Sequence, residues 1–155
     1  MFDVTLLLAD ENAMVLFGHR IAQVTTGVGL VFIEGDLGVG KTTLSRGIIR
    51  GLGYIGVVKS PTFTLVEPYE IGVIRAYHFD LYRLIDHEEL EYMGIRDYLE
   101  KDALCLIEWP DKNICFLPKP DLTITIIPHK YGRHLTLLPH SMRGQFWCIA
   151  LALEF

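Results

Sequence analysis

The chain has 155 residues, with 14 Lys or Arg against 19 Asp or Glu, a formal net charge of −5. Half of the residues are hydrophobic and 21% are charged, which excludes a disordered or collagen-like chain. The length suits one domain over residues 1–155 that holds its own core, and the acidic balance argues against a protein that coats nucleic acid unaided.

The N-terminal apolar run Leu6 to Ala9 follows Asp3 without any Lys or Arg, unlike a signal peptide. Residues 10–24 read as the first helix, with Asp10 as N-cap and Met14, Phe17, Ile21 and Val24 at helical spacing. Leu30 to Ile33 is a short apolar run suited to a strand buried on both faces. It enters a glycine-rich stretch, after which Lys41 to Arg50 reads as a helix closed by Gly51 and Gly53. Residues 62–67 and 73–79 are expected as two strands joined by a turn at Glu70 to Gly72. Asp86 with Glu89 forms a capping box for a helix through Leu90 and Met93. Ala103 to Ile107 reads as a second buried strand. Leu122 to Ile127 and Leu135 to Leu138 form an antiparallel hairpin about a turn at His129 to Arg133. Residues 139–155 are an apolar tail without an assigned role. Its longest run, Phe146 to Leu153, is too short to span a bilayer, which takes about 20 residues. Cys105, Cys115 and Cys148 have no Cys-x-x-Cys spacing, so neither a zinc knuckle nor a disulfide framework is indicated, and a cytoplasmic location is expected. Strands alternating with helices predict a three-layer α/β fold, a parallel core with antiparallel strands added.

The glycine-rich stretch carries the chemistry. Gly35, Asp36, Leu37, Gly38, Val39, Gly40, Lys41 and Thr42 fit G-x-x-x-x-G-K-[ST], followed by Thr43. The glycines let backbone N–H groups turn inward around phosphate oxygens, and the next helix aims its positive N-terminus at the same anion. Lys41 then reaches the β- and γ-phosphates and the Thr42 hydroxyl ligates Mg²⁺. At average composition such a match arises by chance at about 4 × 10⁻⁵ per position.

A phosphate loop needs a carboxylate at the end of a neighbouring strand. Glu108 follows five apolar residues, Ala103 to Ile107, and is assigned to Mg²⁺ directly or through water. Asp80 ends the strand Ala76 to Phe79 and is assigned to the attacking water or to the magnesium shell. Lys59 to Thr64 places Ser60 and Thr62 on a Pro-stiffened loop, either a switch that senses the γ-phosphate or an ordinary turn. Trp109 either stacks near the nucleotide or is a buried strand-end aromatic. Arg133, on the hairpin turn, is either a nucleotide contact or a solvated charge. His78 alternates within a strand and reads as structural. Asp111 to Ile114 does not fit the Asn-Lys-x-Asp element of guanine-specific proteins, so ATP is favoured. Arg75, Arg83 and Arg96 are spread out and form no evident kinase lid. On the motifs alone three classes stay open: an ATPase that drives a partner, a small-molecule kinase, and a nucleotide-binding regulator without turnover.

Several blocks in order resemble the TsaE family, also called YjeE, the small bacterial P-loop ATPases of tRNA threonylcarbamoyladenosine synthesis. They are Gly35 to Thr43, Val58 to Glu67, Tyr77 to Leu84, Glu88 to Tyr98 and Cys105 to Pro110. The resemblance spans about Asp10 to Arg133 and leaves the segment after about residue 140 outside it. It implies binding of ATP or ADP with Mg²⁺ and ATP hydrolysis helped by the partners TsaB and TsaD. TsaD transfers the threonylcarbamoyl group to the adenosine beside the tRNA anticodon, so tRNA is met indirectly, through the complex. The resemblance further implies that Ser60 to Thr64 is a switch, that Asp80 and Glu108 lie beside magnesium, and that Asp10 and Arg133 lie near the nucleotide.

Overall fold

The computed structural model describes residues 3–84, 86–100, 102–110 and 115–153. In chain order the elements are β1 (Val4–Leu8), α1 (Glu11–Thr25), β2 (Gly29–Glu34), α2 (Lys41–Gly51), β3 (Val66–Ile71) and β4 (Ile74–Asp80). They continue with α3 (Glu88–Tyr92), α4 (Ile95–Leu99), β5 (Leu104–Glu108), β6 (Leu122–His129), β7 (Gly132–Pro139) and α5 (Met142–Ala152). The seven strands form one sheet in the order β1-β7-β6-β2-β5-β4-β3. β6, β2, β5 and β4 run parallel, and antiparallel strands finish both edges. This is the expected mixed sheet, parallel at the centre.

Alternation along β2 shows why the sheet is covered on both faces. Val31 and Ile33 join Phe17, Ile21, Leu44, Ile48 and Trp147 in one buried cluster, beneath α1, α2 and α5. Phe32, between them, points the other way and joins Phe79, Ile107, Leu90 and Ile95, beneath α3 and α4. A central strand buried on both faces is therefore continuously apolar.

Several boundaries differ from those expected of the sequence. β1 pairs with β7 along Val4 to Leu8, where no strand is expected. The first strand of the β3–β4 hairpin begins at Val66, not at residue 62, because Pro61 to Thr64 is turned, with Leu65 N–H donating to the Pro61 carbonyl. The helix through Leu90 and Met93 is interrupted at Gly94, whose φ of +71° ends α3 and starts α4. The tail is helical: the Ser141 hydroxyl accepts from Gly144 N–H, and Trp147, Cys148 and Leu151 pack inward. Asp111 to Ile114, read above for guanine specificity, lie outside the described residues. Among the described residues no helix is long and apolar enough to cross a membrane.

Candidate functional site

The site forms where β2, β4 and β5 end together. Their register pairs Asp80 directly with Glu108, and Ile33 with Glu108 on the other side. In parallel strands the carboxyl ends share one edge, so this pairing puts both acids beside the loop that follows β2. That loop turns into α2 at Gly40, the N-cap residue, with φ +117° in the region that glycine tolerates. The free N–H groups of the first turn of α2 therefore face the loop, as anion binding requires.

Lys41 is buried, with 5% of its surface exposed. Its ammonium donates to the carbonyls of Gly35 and, at 2.8 Å, of Asp36, and lies 3.9 Å from the centroid of the Trp109 ring. Trp109 has φ +59°, unusual for a bulky residue. That backbone turn, immediately after β5, is what lays the indole under Lys41. Tyr82 approaches the same indole, ring centroids 4.8 Å apart.

Glu108 is 1% exposed and surrounded by donors. Thr42 Oγ1 lies 3.2 Å from Oε1, Ser45 Oγ lies 3.3 Å from Oε2, and His78 Nε2 also contacts Oε2. His78 is fully buried, and among the described residues its Nδ1 has no hydrogen-bond partner. Asp80 accepts from Tyr82 N–H at 3.0 Å, while its own N–H donates to the Leu65 carbonyl. Burial pushes the Asp80 carboxyl above its ordinary value. The Tyr82 hydrogen bond opposes this shift, and the charge of Glu108 adds to it.

Two clefts flank the loop and share Gly38, Gly40 and Thr43. One, of about 430 Å³, is bounded by Lys41, Thr42, Thr62, Asp80, Glu108 and Trp109, with Leu37, Tyr82 and Arg83 on its rim. The other, of about 230 Å³, lies between Asp10, Met14, Val39 and Arg133. Arg133 Nε donates to the Val39 carbonyl at 3.0 Å, which ties the late hairpin to the loop. The Asp10 carboxylate is engaged as the N-cap of α1, accepting from Ala13 N–H. Ser60 reaches the large cleft only through its 2.7 Å hydrogen bond to Thr62.

Most of the expected site residues therefore divide between the two clefts; Gly35 and Asp36 line neither but hold Lys41 through their carbonyls, and Ser60 stands one hydrogen bond removed. Sequence reasoning did not single out Ser45, and it read His78 as structural without placing it against Glu108. Ser45 lies one helical turn beyond Lys41, and i, i+4 spacing was the available signal. His78 lies two residues before Asp80 on the same strand face, and strand periodicity already placed the two side by side.

Residues 8–135 match the profile of the family described as threonylcarbamoyl adenosine biosynthesis protein TsaE. The chain belongs to the TsaE family. A TsaE protein of Haemophilus influenzae is 45% identical over 150 residues, covering 94% of this chain and 95% of that one. One of Bacillus subtilis is 44% identical over 94 residues, 61% of this chain and 58% of its own. Among solved structures, Bacillus subtilis YdiB superimposes with a TM-score of 0.82 at 26% identity, covering 99% of this chain and 96% of that chain. The TsaE profile stops before α5, yet the Haemophilus and YdiB alignments extend over nearly the whole chain.

Proposed function

We propose that this TsaE-family chain is a Mg²⁺-dependent ATPase subunit for the threonylcarbamoyl modification of the adenosine beside the tRNA anticodon. It acts with TsaB and TsaD, hydrolyses ATP to ADP and phosphate, and leaves group transfer to TsaD. The observation that carries this reading is the large cleft, where a phosphate loop, the Thr42 side chain and two buried carboxylates converge. Its volume of about 430 Å³ suits a triphosphate, and the smaller cleft on the far side of Gly38 and Gly40 offers room for the nucleoside.

The donor set fits magnesium. Thr42 and Glu108 present oxygen atoms on one wall and Asp80 on the next, and Mg²⁺ prefers oxygen. Among the described residues no group of three or more His, Cys, Asp or Glu forms a metal cage. That suits an ion completed by water and substrate phosphates rather than by protein alone. Thr42 and Glu108 would hold it. When bound, the ion supplies charge neutralisation on the phosphate oxygens.

The remaining work falls to the chain. Backbone N–H groups of residues 38–42 bind the phosphates, and Lys41 exchanges loop carbonyls for phosphate oxygens. Asp80, with its raised proton affinity, orients the attacking water. His78 and Ser45 keep Glu108 aimed at the cleft. Thr62, beside Ser60, senses whether the terminal phosphate is present.

The test is phosphate release in a reconstituted mixture with TsaB, TsaD, threonylcarbamoyl-adenylate and tRNA. Lys41→Ala and Glu108→Ala should each abolish release while the circular dichroism spectrum is unchanged. Full turnover in both variants overturns the site. A phosphorylated product in place of free phosphate would make the chain a kinase instead, and nucleotide binding without release would make it a regulator.

A further inference from the structure

Three basic side chains border the two clefts, and two of them are already engaged. Lys41 is held by the carbonyls of Gly35 and Asp36, and Arg133 by those of Val39 and Gly132. Arg83 differs. It stands on the rim of the large cleft that Lys41 also lines, three residues beyond Asp80. Its guanidinium carbon lies 4.3 Å from the centroid of the Phe63 ring, and this ring is its contact among the described residues.

Phe63 is itself conspicuous. It is 80% exposed, at the tip of the turn Pro61 to Thr64, and its neighbour Thr62 lines the same cleft. The ring thus buries little of its own surface and serves as a seat for Arg83. An exposed cation–π contact is weak, whereas a guanidinium on a phosphate oxygen makes short, charge-assisted and often paired hydrogen bonds. An incoming triphosphate therefore outcompetes the ring. The seat lies on the turn over residues 61–64, for which the sequence left a switch and an ordinary turn both open, so leaving it changes what holds that turn.

We propose that Arg83 reads the terminal phosphate alongside Thr62: it rests on Phe63 and moves onto the γ-phosphate when ATP occupies the large cleft. The proposal rests on the nucleotide reading of that cleft. It adds a positive group in cis to the loop lysine, placed where charge is greatest in ATP and absent in ADP. It also links phosphate occupancy to the Pro61–Thr64 turn, because Phe63 loses its partner at that moment.

Trp109, on the wall of the same cleft, supplies a fluorescence readout of binding that does not depend on turnover. The 155-residue chain is titrated in Mg²⁺ with ADP and with the non-hydrolysable β,γ-imido analogue of ATP. Arg83→Ala should weaken the analogue about 10- to 100-fold, the effect of losing a charge-assisted contact, and leave ADP within about 2-fold of the original protein. Arg83→Lys should recover only part of the loss, because an ammonium lacks the planar fork. Phe63→Ala should tighten the analogue a few-fold by removing the competing seat, again without effect on ADP. Equal losses for ADP and the analogue, or no loss for either, would overturn the role of Arg83. An unchanged Phe63→Ala would overturn the seat. If the original protein bound neither nucleotide, the cleft reading itself would fall, and the inference with it.

Discussion

Helices α1 and α2 meet through glycine, and this contact gives the most direct stability test. A Cβ on Gly47 would lie 2.7 Å from the Val15 carbonyl oxygen, 3.0 Å from Val15 Cα and 3.2 Å from Val15 C. All three are backbone atoms of α1, so no side-chain rotation relieves the contact. The helices would have to separate by about 0.7 Å to restore ordinary contact at 3.4 Å. Overpacking of a closed core costs about 1–3 kcal/mol, and three simultaneous backbone contacts place this case near the upper end. Ala returns about 1 kcal/mol through its better helix propensity. The net loss of about 2 kcal/mol lowers the melting temperature by about 4–8 °C in a chain of this length. Circular dichroism melts of Gly47→Ala and the original protein measure it. Because α1 starts at Asp10 and α2 at Lys41, the same displacement should widen the smaller cleft and weaken nucleotide binding. A melting temperature that rises by a few degrees would mean that propensity acts alone, and the reasoning about close approach would be refuted.

Asp80→Asn should stabilise the nucleotide-free protein at neutral pH while removing turnover. The raised carboxyl means that the folded chain binds the proton more tightly than the unfolded chain. The contribution of Asp80 to stability therefore falls as pH rises from the ordinary value of 3.8 through the raised one. Urea midpoints across that range should favour Asn most at neutral pH; a gap that widened on acidification would reverse the sign. Arg133→Ala, which frees the Val39 carbonyl, should weaken ADP and ATP alike by about 10-fold in Trp109 titrations, in contrast to Arg83→Ala. Thiol chemistry gives a further check. Cys115 is exposed, Cys105 is buried, and burial pushes the Cys148 thiol up to about 11. Ellman's reagent should titrate Cys115 quickly in the native protein and the other two only on unfolding. Fast native labelling of Cys148 would contradict the packing of α5.

What could be read in the sequence follows from how local each signal is. The phosphate loop was legible because eight consecutive residues carry all of its chemistry. The two acids were legible because strand ends in a parallel sheet converge, whichever strand lies between. β1 was not, since only Leu8 of Val4 to Leu8 is buried and its pairing partner lies more than 120 residues away. β3 was displaced because Pro68 discourages a strand, yet Pro is tolerated at a sheet edge, and β3 pairs only with β4. α5 gave no clear periodic signal because large apolar residues stand on its exposed face as well as its buried one. Met142, Phe146 and Ile149 are exposed while Trp147, Cys148 and Leu151 are buried. The hydrogen bonds to Glu108 from His78 and Ser45 join residues 30 and 63 positions apart, a distance that no local pattern encodes.

The strand order also bears on how the protein folds. β1, the first of the seven strands along the chain, has β7, the last of the seven, as its sheet neighbour. The smaller cleft needs both ends: Leu8 and Asp10 from the start, Gly132 and Arg133 from the finish. The large cleft draws on neither end, its lining lying between Leu37 and Trp109. The smaller cleft thus depends on a pairing between residues more than 120 positions apart, the kind of long-range contact that forms late in folding.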